Sequence, residues 1–124
     1  MPNNDRPSGH VMLLEDEALI ALDLQTELQD AGYEVAGPFA TRKLALEWLE
    51  RETPECAVLD TVLKDGPCED VARALARRDV PFVVYSGHRQ DRNTFKEFSN
   101  ATWVEKPAMI GTLLDALAGL KAET

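Results

Sequence analysis

The chain has 124 residues, 44% of them hydrophobic and 28% charged, which suits one domain burying about two thirds of its unfolded surface and excludes a disordered or fibrous chain. Thirteen Lys and Arg stand against 22 Asp and Glu, a net charge of −9. A surface so negative repels phosphate backbones and anionic lipid, so direct nucleic-acid and membrane binding are disfavoured.

Residues 1–9 are polar, carry Pro2, Pro7 and Gly9, and lack the apolar stretch of a signal peptide. They read as a short disordered lead before a domain over residues 10–122, and the expected compartment is cytoplasmic. The longest unbroken apolar run, Ala18 to Leu22, is too short to cross a bilayer. Cys56 and Cys68 lack the spacing of a zinc or redox pair and are expected as free thiols.

In chain order, the first strand is expected at Val11 to Leu14. The first helix follows, with Ile20, Leu24, Leu28 and Ala31 on one stripe and Gly32 as its stop. Tyr33 to Ala36 reads as the second strand. Thr41 can cap a helix carrying Leu44, Ala45, Trp48 and Leu49 that ends before Pro54, with Trp48 as a packing residue. Cys56 to Leu59 is the third strand, and Val71, Ala74, Leu75 and Arg78 suit a third helix. Phe82 to Tyr85 forms the fourth strand. Asp91 to Ser99 is the weakest helix, anchored only by Phe95 and Phe98. Trp103 to Val104 is the fifth strand, and Ile110, Leu113, Leu114 and Leu117 mark a last helix.

Five strands alternating with five helices over short loops argue an α/β fold, a (βα)5 doubly wound parallel five-stranded sheet of flavodoxin-like order 2-1-3-4-5. Ligands then bind outside the carboxyl ends of the strands, near the switch point between the first and third. Strand one runs out into Glu15, Asp16 and Glu17, strand three into Asp60, strand four into Ser86, and strand five into Lys106. The second strand contributes nothing obvious. Crowded carboxylates repel, which raises a pKa or demands a cation, and hard oxygens suit magnesium. A lysine and a hydroxyl across the same crevice can hold phosphoryl oxygens. Taken singly, each acid reads first as a solvated charge near a helix start; the joint occurrence at four strand ends favours a site.

Leu13-Leu14-Glu15-Asp16-Glu17, Ala57-Val58-Leu59-Asp60, Val84-Tyr85-Ser86-Gly87 and Val104-Glu105-Lys106-Pro107 together resemble the receiver domain of bacterial two-component response regulators, over His10 to Ala122. By that resemblance Asp60 is the phosphoacceptor, and Asp16, Asp60 and the Val62 carbonyl ligate Mg2+, with Glu15 acting through a bound water. Ser86 would bond one phosphoryl oxygen and Lys106 neutralise another, Lys106–Pro107 would be cis, and Trp103 would occupy the aromatic switch position. The stretch Val80 to His88 resembles the stand-alone subfamily named for a Phe-Ala-Thr-Gly loop. Where common members follow the acceptor with Met-Pro, this chain reads Thr61-Val62-Leu63-Lys64-Asp65-Gly66.

The resemblance implies a single-domain regulator, not a metabolic enzyme, phosphorylated by a sensor histidine kinase or phosphotransfer protein. With nothing expected after Thr124, it would signal through protein contacts or serve as a phosphate sink or relay. The downstream face would be the fourth helix, fifth strand and fifth helix, with phosphorylation reordering residues 86–103 while Trp103 moves little. The alternative is a pseudo-receiver that binds partners without phosphorylation. A haloacid-dehalogenase phosphatase needs a second Asp two residues past the nucleophile, where Val62 stands. Flavin binding needs a phosphate-cradling loop after strand one, where three acids stand.

Overall fold

Strand β1 (His10–Leu14) is a run of apolar side chains buried from Val11 onward, and β3 (Cys56–Leu59) is buried at all four positions. A strand with no solvent face must lie inside a sheet covered on both sides. The structure, a computed structural model, describes residues 9–60, 62–86, 102–106 and 110–122. The remaining elements are α1 (Ala18–Asp30), β2 (Glu34–Phe39), α2 (Arg42–Leu49), β4 (Val62–Leu63), β5 (Gly66–Pro67), α3 (Glu69–Arg77), β6 (Phe82–Ser86), β7 (Thr102–Glu105) and α4 (Ile110–Ala122). The expected helix at Asp91 to Ser99 and the Lys106–Pro107 bond lie outside the described residues.

The main sheet is parallel throughout, in the order β2-β1-β3-β6-β7. That is the expected doubly wound order once the small antiparallel hairpin β4–β5 is set aside.

The period-2 alternation of the strands divides the core into two layers. Met12, Leu14, Ala57, Leu59, Phe82 and Val84 point to one face, where Ala45 and Leu49 of α2 meet Val71, Ala72 and Leu75 of α3. Val11, Leu13, Cys56, Val58, Val83 and Tyr85 point to the other, covered by Leu24 and Leu28 of α1 and Leu113, Leu117 and Leu120 of α4. At about 25 cal/mol per Å2 of apolar surface removed from water, these two layers are the main source of stability. Both cysteines are buried free thiols.

The helices follow their sequence signals, with local corrections. Gly32 ends α1 at φ +98, the left-handed conformation glycine adopts without Cβ strain. Thr41 caps α2, its hydroxyl accepting from the Leu44 amide at 3.2 Å. Leu44 turns outward, leaving Ala45 and Leu49 buried while Trp48 packs at the margin, its ring 6.0 Å from that of Phe39. In α3 the buried set is Val71, Ala72 and Leu75; Ala74 lies at the edge of the stripe.

The second strand differs most from expectation, starting at Glu34 and continuing through Gly37-Pro38 to Phe39. Met12 pairs with Ala36 but Leu14 pairs with Phe39, so one extra residue is taken up on β2. Gly37 makes this possible at φ +107, where an added Cβ would lie 2.7 Å from the Leu13 carbonyl oxygen. The Gly37–Pro38 bond is cis. An edge strand tolerates proline because no second neighbour needs its missing N–H.

Candidate functional site

The carboxyl ends of β1, β3 and β7 lie on one rim of the sheet, and the residues that follow them meet there. The Asp60 amide donates to the Leu14 carbonyl at 3.2 Å, tying the end of β3 to that of β1. The Glu15 amide donates to the Phe39 carbonyl at 3.1 Å, so the edge strand β2 does support the site, contrary to the sequence expectation. The bulge in β2 is what advances Phe39 far enough to receive that amide.

Glu15, Asp16 and Asp60 each place a carboxylate oxygen within 4.8 Å of the other two. Glu15 and Asp60 are buried and Asp16 is partly buried. Lys106, following β7, reaches across the rim. Its Nζ lies 2.7 Å from Glu15 Oε1 and 3.0 Å from Asp60 Oδ2, and 5.5 Å from the centroid of the Tyr85 ring. The second Glu15 oxygen accepts the Glu17 amide at 3.1 Å, at the start of α1. Both Glu15 oxygens are therefore engaged. The Asp16 carboxylate makes no hydrogen bond or ion pair among the described residues.

Burial pushes the Glu15 carboxyl above its ordinary range, outweighing the hydrogen bond and charge of Lys106 that pull it down. Burial also opposes the charge on Lys106, but hydrogen bonds and attraction from Glu15 and Asp60 win, so its pKa lies above the usual lysine value. The ammonium stays charged at neutral pH. Near Asp60, burial first, then the charges of Asp60, Asp70 and Asp65, pushes the Cys68 thiol up, which leaves it a poor nucleophile.

A divalent cation fits this donor set. Three carboxylates against one ammonium leave negative charge in excess, and the ligand atoms are all hard oxygens. With both oxygens engaged, Glu15 is the least available of the three acids for direct ligation.

The structure thus brings together Glu15, Asp16, Asp60 and Lys106. Ser86 is placed by its backbone at the end of β6, opposite Glu105 and beside β3. Val62 is placed by its backbone in the hairpin, paired with Pro67, two positions past Asp60. Sequence reasoning missed the group of Arg42, Asp65 and Asp70, which joins that hairpin to α2 and α3. Its only sequence trace is the turn-forming pair Asp65-Gly66 between short apolar stretches.

Residues 11–118 match the response regulator receiver domain family. The chain is 31% identical over 111 residues to the transcriptional regulatory protein PdtaR of Mycobacterium tuberculosis, covering 86% of this chain and 54% of that protein. It spans about half the length of the curated relatives it matches. Among solved structures, a response regulator receiver protein from Sinorhizobium medicae superposes with a TM-score of 0.81 at 28% identity, covering 90% of this chain and 92% of the other. SdrG from Sphingomonas melonis superposes with a TM-score of 0.76 at 33% identity, covering 90% and 94%. Among the described residues no helix is long and apolar enough to cross a membrane.

Proposed function

Because the chain belongs to the response regulator receiver domain family, we propose that it accepts a phosphoryl group on Asp60 from a histidine kinase or phosphotransfer protein, assisted by Mg2+, and signals through protein contacts. The observation that carries this reading is the bridge from one lysine to two buried carboxylates, Glu15 and Asp60, with Asp16 beside them.

In the transfer, an Asp60 oxygen bonds to phosphorus as the P–N bond of phosphohistidine breaks, and the departing imidazole nitrogen keeps that bond's electron pair. Such a loose displacement needs positioning and charge neutralisation more than proton transfer. Lys106, 3.0 Å from Asp60 Oδ2, is poised to shift from that oxygen to an incoming phosphoryl oxygen at little cost in reorganisation. The Ser86 hydroxyl is assigned to another phosphoryl oxygen. Asp16, Asp60 and the Val62 carbonyl would hold Mg2+, which would further neutralise phosphoryl charge. The stand-alone subfamily, supported by the resemblance of the Val80-Pro81-Phe82 stretch, the cytoplasmic setting and the role of phosphate sink or relay belong to the same proposal.

The test is incubation with acetyl phosphate and Mg2+, followed by intact mass measurement. The wild type gains one phosphoryl group and Asp60→Asn gains none. Retained labelling of Asp60→Asn at another residue overturns the acceptor assignment, and no labelling of the wild type favours a partner-binding pseudo-receiver. SdrG has a BeF3-activated conformation, which this chain matches with a TM-score of 0.72, so beryllofluoride is a suitable stable mimic for the same comparison.

A further inference from the structure

The first-turn amides of a helix have no intrahelical acceptor and need one from elsewhere. Thr41 serves the Leu44 amide locally. The two amides before it are served by a residue 22 and 23 positions away: Asp65 Oδ1 accepts from the Arg42 amide at 2.7 Å, and Asp65 Oδ2 accepts from the Lys43 amide at 3.2 Å. Asp65 sits in the two-residue turn of the β4–β5 hairpin, since Leu63 pairs with Gly66. The bond is returned, because Arg42 Nη2 donates to the Asp65 carbonyl at 2.9 Å. Arg42 Nη1 donates to Asp70 Oδ2 at 3.0 Å, on the first turn of α3. The guanidinium lies across Gly66, where an added Cβ would stand 3.6 Å from Arg42 Nε.

The tip of the hairpin is thus locked onto α2. Its other end carries Val62, two positions past Asp60. Between them, Leu63 is buried in the core, and the Lys64 amide donates to the Ala40 carbonyl at 3.2 Å. A two-stranded ribbon this short is not stable alone and takes its geometry from whatever holds it.

We propose that Asp65, clamped by the α2 amides and Arg42, is a positioning residue for the cation site, fixing the hairpin so that the Val62 carbonyl is presented to Asp16 and Asp60. This rests on the reading of the acid cluster as a Mg2+ site. Removing a hydrogen-bond partner that orients a metal ligand typically weakens binding by about 10- to 100-fold. Here Leu63 and the Lys64 amide still hold the hairpin, so the loss expected is about three- to tenfold. Coupling is reciprocal: if the latch favours the cation, the cation favours the latch.

The experiment uses the full chain and Mg2+ alone, by isothermal titration calorimetry, on the wild type, Asp65→Ala, Asp65→Asn and Asp70→Asn. Asp70→Asn loosens the same guanidinium toward α3 and leaves the hairpin contacts, so it is the control for general destabilisation. Both Asp65 variants should bind Mg2+ three- to tenfold more weakly, with Asp70→Asn within twofold of wild type. Mg2+ should slow hydrogen exchange of the Arg42 and Lys43 amides in the wild type and not in Asp65→Ala. Asp65→Asn keeps the test alive if the alanine variant fails to fold. Equal Mg2+ affinity in wild type and Asp65 variants overturns the latch alone, and equal weakening in all three variants reduces it to a stability effect. Absence of saturable Mg2+ binding by the wild type overturns the latch together with the cation site.

Discussion

Replacing Lys106 with Met keeps a side chain of similar length beside the Tyr85 ring but removes the charge that Glu15 and Asp60 share. Breaking a buried ion pair from one side costs about 3 to 5 kcal/mol, because the remaining charge is left uncompensated. Glu15 sets a ceiling on that cost, since it can take up a proton instead. Neutralising a carboxyl of ordinary pKa 4.5 at pH 7 costs about 3.4 kcal/mol at 1.36 kcal/mol per unit, and at pH 5 only about 0.7 kcal/mol. A carboxyl with a raised folded-state pKa contributes stability that is lost as pH climbs from its unfolded value through the raised one. Removing Lys106 raises Glu15 further, so the variant loses more stability than wild type between pH 5 and pH 7. With an unfolding entropy of about 0.26 kcal/mol/K for this length, the ceiling corresponds to a Tm deficit of at most about 13 °C at pH 7 and at most about 3 °C at pH 5. Thermal unfolding followed by circular dichroism, without divalent cation, measures both. Lys106 is fully charged at either pH, so a change in the gap reports the carboxylates. A deficit equal at the two pH values, or none at pH 7, refutes the reasoning.

Gly37→Ala should lower stability by about 1 to 3 kcal/mol, since φ +107 and a Cβ 2.7 Å from the Leu13 oxygen cannot both be relieved without moving β2; an unchanged urea midpoint would contradict this. Asp65 has a small desolvation cost that raises its pKa, outweighed by the Arg42, Lys43 and Asp65 amides and the Arg42 charge, so its carboxyl lies below the ordinary 3.8. A lowered folded-state pKa gives stability that is complete above the unfolded value and lost as pH falls through the lowered one. Acid titrations of wild type and Asp65→Ala should therefore run apart above pH 3.8 and converge below it, and parallel curves throughout would refute the shift.

The sheet was legible because its central strands are short, wholly apolar runs, and its helices because Leu24 and Leu28, or Val71 and Leu75, recur at helical spacing. The acid cluster was legible for a topological reason: in a parallel sheet, residues just past different strands arrive at one rim however far apart they lie in sequence. The second strand was drawn too short because Gly37-Pro38 has the composition of a turn, and only pairing with β1 shows the chain passing through it as a bulge. The hairpin went unread because strands of two residues have no period, and the Asp65-Gly66 signal is offset by one residue from the actual turn at Lys64-Asp65. Nothing in spacing links Arg42 to Asp65 and Asp70; such pairs exist only once α2, the hairpin and α3 are packed. Leu14 and Phe39 as strand partners, and hence the support of Glu15 from the edge, were invisible for the same reason.

The bulged edge strand has a further consequence for how this molecule meets others. A flat outer strand would present an even row of amides and carbonyls on which a second chain could extend the sheet. Along β2 that row is interrupted: Pro38 offers no amide, Gly37 turns the backbone through a left-handed conformation, and exposed Glu34 puts a charge near the start. A copy or an unfolded segment approaching this edge finds no continuous ladder to join. Association by adding strands at β2 is therefore opposed by the same residue pair that delivers Phe39 to Glu15, which leaves β7 as the other edge of the sheet.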